Sequence, residues 1–140
     1  MRLVLDTSAL VAALRSPTGA SAELLRVARR GKIQLLASAA LAIEYEAVCR
    51  REEHWRAAGL SIAEVGRFLD AVIELIEPVE IWFLWRPQLR DPGDELVLEA
   101  AANGRADVIA TFNLRDFEPV QQRFGIQVLT PKDTLMRLTP

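Results

Sequence analysis

The chain predicts an α/β sandwich with a mainly parallel central sheet, and three observations carry that expectation. Short apolar runs of strand length alternate with longer helical patterns from end to end. The 140 residues are 51% hydrophobic and 26% charged, the profile of one packed domain, expected to span 1–140. Asp6, Asn113 and Asp116 each follow an apolar run, at the carboxyl ends of strands, beyond which such sheets bind ligands.

The elements follow in order. Leu3–Leu5 reads as a short buried strand, followed by a helix from Thr7 to about Leu14 and a turn at Ser16-Pro17-Thr18-Gly19. Ser21 or Thr18 is the expected cap of a helix ending at Gly31. Ile33–Leu36 is a second strand, and Ser38 caps a helix through about Glu53. Ser61 with Glu64 makes a capping box for a helix running to about Glu77, ahead of Pro78. The apolar stretch Val79–Trp85 reads as an irregular strand. A helix over Asp91–Asn103, a strand over Asp107–Thr111, a short helix over Asp116–Phe124, a strand over Ile126–Leu129 and a closing helix over Pro131–Leu138 complete the chain.

Composition narrows the function classes. No apolar stretch reaches the roughly 18 to 20 residues that a bilayer span needs, and the N-terminus enters a strand without a leader pattern, so a cytoplasmic protein with no membrane association is expected. The single Cys49 lies in a helical pattern and reads as packing. A net charge of -2 disfavours charge-driven coating of nucleic acid but permits local contacts. Those contacts would come from Arg26, Arg29, Arg30 and Lys32, from Arg50, Arg51 and Arg56, or from Arg86 and Arg90; the plainer reading makes all three clusters solvated surface.

Four acids, Asp6, Glu44, Asp94 and Asp116, stand where a soluble domain favours apolar side chains. Burying an ionised carboxylate costs several kcal/mol or more, roughly, unless a cation or hydrogen bonds compensate it. Asp6 either caps the first helix or is aimed at a cation, with Ser8 or Thr7 orienting a water or phosphate oxygen. Glu44 shares a helix side with Leu41 and Val48, whereas Glu46 points away; its structural alternative is a pair with Arg51. Asp94 shares a face with Val97, Leu98 and Ala101, while Glu95, Glu99 and Asn103 form a separate polar stripe. Asp91-Pro92-Gly93-Asp94 also suits a helix start, with Asp91 capping and Asp94 at the third position. Asn113 and Asp116 lie in the turn after a strand, weak alone but weightier if that strand neighbours the first.

Oxygen ligands without a useful His or Cys select Mg²⁺ or Mn²⁺ over zinc. His54, the only histidine, has no partner ligand in its stretch. Such an ion suits metal-assisted phosphodiester hydrolysis. Neither a G-x-x-x-x-G-K-[ST] loop nor G-x-G-x-x-G is present, and Ser8 stands where an aspartyl phosphatase would carry a second Asp.

With Leu3-Val4-Leu5-Asp6-Thr7-Ser8, a mid-chain helix bearing Glu44, Asp91-Pro92-Gly93-Asp94-Glu95 opening a helix, and Ala106 through Phe117 around Asn113 and Asp116, the sequence resembles the PIN-domain family over nearly its whole length. The resemblance implies a three-layer α/β/α sandwich and a Mg²⁺- or Mn²⁺-dependent endoribonuclease, often the VapC-like toxin of a toxin-antitoxin pair. It implies metal ligation by Asp6, Glu44, Asp94 and Asp116, with Ser8 and Asn113 orienting ligands or substrate. Some relatives carry Asp where this chain has Asn113, which leaves open whether Asp116 binds the metal directly or through water and whether Asp91 substitutes. An RNA substrate, an antitoxin protein and a homodimer are implied in the same way. Two other readings stand beside it: a PIN-like binding or scaffold module without catalysis, and another Mg²⁺-dependent phosphate hydrolase. The run Trp82-Phe83-Leu84-Trp85 is expected in the core and becomes an interface candidate if exposed.

Overall fold

A computed structural model of the chain describes residues 1–138; the last two positions of the expected domain lie outside the described residues. Five strands, β1 (Arg2–Leu5), β2 (Gln34–Ala37), β3 (Ile76–Pro78), β4 (Val108–Ala110) and β5 (Gln127–Leu129), form one sheet in the order β3-β2-β1-β4-β5. Every pairing is parallel, with Leu3 opposite Leu35 on one side and Leu5 opposite Ala110 on the other. Among the described residues, eight α-helices complete the three-layer α/β/α sandwich: α1 (Thr7–Arg15), α2 (Ala20–Arg29), α3 (Ala39–Cys49), α4 (Glu52–Ala58), α5 (Ile62–Leu75), α6 (Pro92–Asn103), α7 (Glu118–Phe124) and α8 (Pro131–Leu138).

Parallel strands need both faces covered, which is why β1 and β4 are apolar almost throughout. Leu3, Val4, Leu5, Val108, Ile109 and Ala110 are fully buried. At about 1.5–3 kcal/mol for each large apolar side chain removed from water, these strands and the leucines packed on them supply the main driving force. The chain winds from β1 to β2 to β3 on one side, then returns across the sheet to β4 and β5 on the other. The order therefore reverses between β1 and β4, and a crevice opens beyond their carboxyl ends.

Several boundaries depart from the sequence expectation, each for a local reason. The α2 cap is Gly19, without a side-chain bond, rather than Ser21 or Thr18; Ser21 is inside the helix and buried. The expected helix from Ser38 through Glu53 is two helices. Ser38 does cap α3 by accepting from the Leu41 N–H, but the chain turns at Arg50-Arg51 before α4. The Arg50 carbonyl is taken by the Trp55 indole N–H at 3.2 Å, and Gly59, at φ 71°, ends α4 in the left-handed conformation that glycine reaches without strain.

The Ser61–Glu64 capping box forms as expected, yet α5 stops at Leu75. Ile76–Pro78 instead pairs with β2 as an edge strand, where a proline is tolerated. The stretch Val79–Trp85 is therefore not a strand, and three of its apolar side chains face solvent rather than the core: Trp82 is 75% exposed, Phe83 66% and Leu84 64%. Trp85 alone of the four turns inward, edge-on to Phe124 with ring centroids 5.4 Å apart. Among the described residues no helix is long and apolar enough to cross a membrane.

Candidate active site

Asp6 continues β1 past its last strand residue, and its backbone N–H still bonds the Ala110 carbonyl of β4 at 2.9 Å. It occupies the cap position of α1, but its side chain caps nothing. Instead Oδ2 accepts two hydroxyls, from Ser8 at 2.8 Å and from Thr111 at 2.7 Å. Among the described residues nothing donates to Oδ1, although Asp6 is only 4% exposed. Thr111 in turn accepts the Asn113 N–H, so one hydroxyl ties the end of β1 to the turn after β4. Tyr45 of α3 braces the same strand end by donating its phenol to the Leu5 carbonyl at 2.5 Å. Burial, with Asp6 and Cys49 close by, holds that phenol protonated well above its ordinary range.

Asp91 caps α6 by accepting the Gly93 N–H at 2.7 Å, as its sequence context predicts. A Cβ on Gly93 would stand 3.1 Å from Asp91 Oδ1 and 3.9 Å from Glu44 Oε1, so the Glu44 carboxylate of α3 lies close to the start of α6. Glu44 is half-buried and makes no pair with Arg51 among the described residues. Asp94, one turn into α6, is also half-buried. Its carboxyl is pushed up to about 7, first by burial and then by repulsion from Asp6, Asp91, Asp116 and Glu95. Three separate segments thus bring negative charge to one place. Among the described residues none of Asp6, Glu44, Asp91, Asp94 or Asp116 has a cationic partner; the ion pairs lie elsewhere.

Asp116 is exposed on the 3₁₀ turn Leu114–Phe117, which precedes α7 where the sequence suggested a single helix. It lines a pocket of about 630 Å³ with Asp91, Asp94, Arg90, Arg115 and Gln88. Asn113 is exposed and contributes its backbone N–H to Thr111; the structure gives its side chain no bond to the acids. Thr111 is the residue that sequence reading missed. Its signal, a hydroxyl at a strand end, becomes informative only once β1 and β4 are known to be neighbours.

Glu95 and Glu99 correct a second expectation, since the supposed solvent stripe of α6 is more buried than Asp94, at 5% and 3% exposure. The segment from Val79 to Arg90 folds over it. Glu95 Oε1 accepts the N–H groups of Gln88 and Leu89 at 2.7 and 2.9 Å, and Glu99 takes Arg86 in a two-pronged pair at 2.6 and 2.8 Å. Asn103 accepts from the Trp82 and Phe83 N–H groups, both at 3.0 Å.

The donor chemistry suits a hard cation: all-oxygen, uncompensated and mutually repelling. Among the described residues, however, no three His, Cys, Asp or Glu side chains are spaced to enclose one ion directly. Any cation held by these groups would have to keep several of its own waters.

The PIN domain profile matches residues 2–115. Asp6, Ser8, Glu44, Asp91, Asp94 and Asn113 lie inside the matched span, and Asp116 is one residue beyond it. Among solved structures the chain is similar to VapBC2 from Rickettsia felis bound to a DNA fragment from their promoter. The TM-score is 0.61 and the identity 14%, over 92% of this chain and 97% of that one. At that identity the likeness concerns the fold. No curated protein matches the chain.

Proposed function

This chain belongs to the PIN-domain family, and we propose that it is a Mg²⁺- or Mn²⁺-dependent endoribonuclease, the toxin of a toxin-antitoxin pair. The observation that carries the reading is geometric: Asp91, Asp94 and Asp116 line one pocket, the buried Asp6 keeps one carboxylate oxygen without a donor, and among the described residues no ion pair answers any of the four. A divalent cation is the ordinary remedy for such a group.

In this reading Asp6, Glu44, Asp94 and Asp116 hold the ion, with Asp91 available beside them. Once bound, the ion supplies an activated water and offsets charge on the scissile phosphate. Ser8 and Thr111 fix the Asp6 carboxylate so that Oδ1 faces the ligand, and Asn113 orients ligand or substrate from the turn after β4. The half-buried setting of Asp94 keeps the local dielectric low, which strengthens each charge contact made there. An antitoxin partner is proposed from the fold likeness to a VapBC2 assembly, and a homodimer from family membership.

The test is RNA cleavage by purified protein with Mn²⁺. Asp6→Asn and Asp94→Asn each lower the rate by about 10³-fold, the scale expected when a group that stabilises transition-state charge is lost, while circular dichroism stays native. Unchanged cleavage by the double variant rejects the nuclease reading. A second reading, a binding module without catalysis, is favoured by the lack of three enclosing ligands among the described residues. Calorimetric titration separates the two: no Mn²⁺ binding at millimolar concentration supports the module.

A further inference from the structure

We infer that Arg90 and Arg115 grip the RNA phosphates flanking the scissile one; the inference rests on the nuclease reading above. An acidic pocket repels a polyanion, and an ion held there offsets charge on one phosphate only. The neighbouring phosphates of the strand need counter-charges of their own.

Most arginines of the three sequence clusters are already engaged. Arg26 and Arg30 pair with Glu23, Arg50 with Glu46, Arg56 with Glu52 and Arg86 with Glu99. Arg90 and Arg115 are different: both are exposed, neither forms an ion pair among the described residues, and both line the acidic pocket. They belong to two different segments of the lining. Arg90 belongs to the stretch 87–91 that leads into α6, and Arg115 to the 3₁₀ turn ahead of α7. Each immediately precedes a pocket acid, Asp91 or Asp116.

Both segments are anchored, so the two guanidiniums are presented from fixed backbone. Glu95 holds the first through the Gln88 and Leu89 N–H groups, and the Gln88 side chain accepts from Arg123 of α7 at 2.6 Å; the fully buried Phe117 holds the turn that bears Arg115. A strand laid across the pocket then meets two unpaired guanidiniums in the same lining as the carboxylates. Guanidinium geometry matches phosphate oxygens in pairs, which makes arginine suited to the task.

The experiment measures binding of a single-stranded oligoribonucleotide by the full-length Asp94→Asn protein in Mg²⁺, as a function of salt. Arg90→Ala and Arg115→Ala added to that background each weaken binding roughly three- to tenfold and flatten the plot of log K against log salt by about 0.7, the value for one phosphate contact on a single strand. Arg115→Lys restores the slope. Arg29→Ala, at the end of α2 and outside the pocket lining, leaves it as it was. Slopes identical to the parent in both alanine variants overturn this inference and leave the nuclease reading standing. A parent protein that binds no oligoribonucleotide at all brings down both.

Discussion

Helix α6 carries two groups of carboxylates that face opposite fates within two turns. Glu95 and Glu99 are nearly inaccessible to water, and every charge they bring is answered, by the Gln88 and Leu89 amides or by Arg86. Asp94 is less buried yet answered by nothing, and Asp6 and Asp116 make its position worse. Burial alone thus does not mark a functional acid. What distinguishes the pocket is charge left uncompensated where the fold had arginines to spare. The glutamates are structural clamps, and the aspartates carry a like-charge repulsion that a cation would relieve in the proposed reading.

The sharpest way to break this contrast is through stability of the metal-free protein against pH. The Asp94 carboxyl is raised in the folded state, so its native form is least disfavoured when protonated. Stability from this group is therefore fully present below the ordinary value of 3.8 and is lost as pH rises toward about 7. Asp94→Asn removes the penalty. In urea unfolding at pH 8 the variant is more stable than the parent by about 2 kcal/mol, after discounting for partial solvent access, and the difference vanishes near pH 4. Mg²⁺ or Mn²⁺ narrows the gap by stabilising the parent. A variant less stable than the parent at pH 8 would mean that Asp94 is satisfied after all.

On the clamp side the sign reverses. Asn103→Ala strips the Trp82 and Phe83 amides of their acceptor and costs about 1–2 kcal/mol in the same assay at any pH from 5 to 8. Smallest of all is Trp82→Ser. With its side chain mostly in solvent, the change moves stability by less than about 0.5 kcal/mol, and iodide quenches the fluorescence lost with it. A larger loss would return that aromatic to the core.

These contrasts explain what could be read in advance. Apolar runs place β1, β2, β4 and β5 to within a residue or two, because each strand is a short apolar run, with a polar residue only at the first position of β1, β2 and β5. The Ser61–Glu64 box and the Asp91 cap were legible because their partners lie three residues apart or fewer. Asp6 and Asp94 were legible as acids set among apolar neighbours. Helical periodicity locates the face of α6 turned to the sheet, but it carries no information on what a distant segment lays over the other face. Glu95, Glu99 and the exposed Trp82 were misread for that one reason. The strand Ile76–Pro78 was absorbed into α5 because three residues carry no period, and only pairing with β2 defines it. Thr111 escaped because its role depends on a residue 105 positions away.

The two hydroxyls that converge on one oxygen of Asp6 have a chemical corollary. They take up the acceptor capacity of Oδ2 and stop the carboxylate from rotating, so its other oxygen is always the one offered. An asparagine in that place would keep both bonds through its carbonyl and turn its amide outward. The side chain would fit with scarcely an atom displaced, while a lone pair becomes two N–H hydrogens facing any arriving ion. Near-identity of shape would then coexist with inverted polarity, which makes this position a switch that one proton-bearing nitrogen can throw.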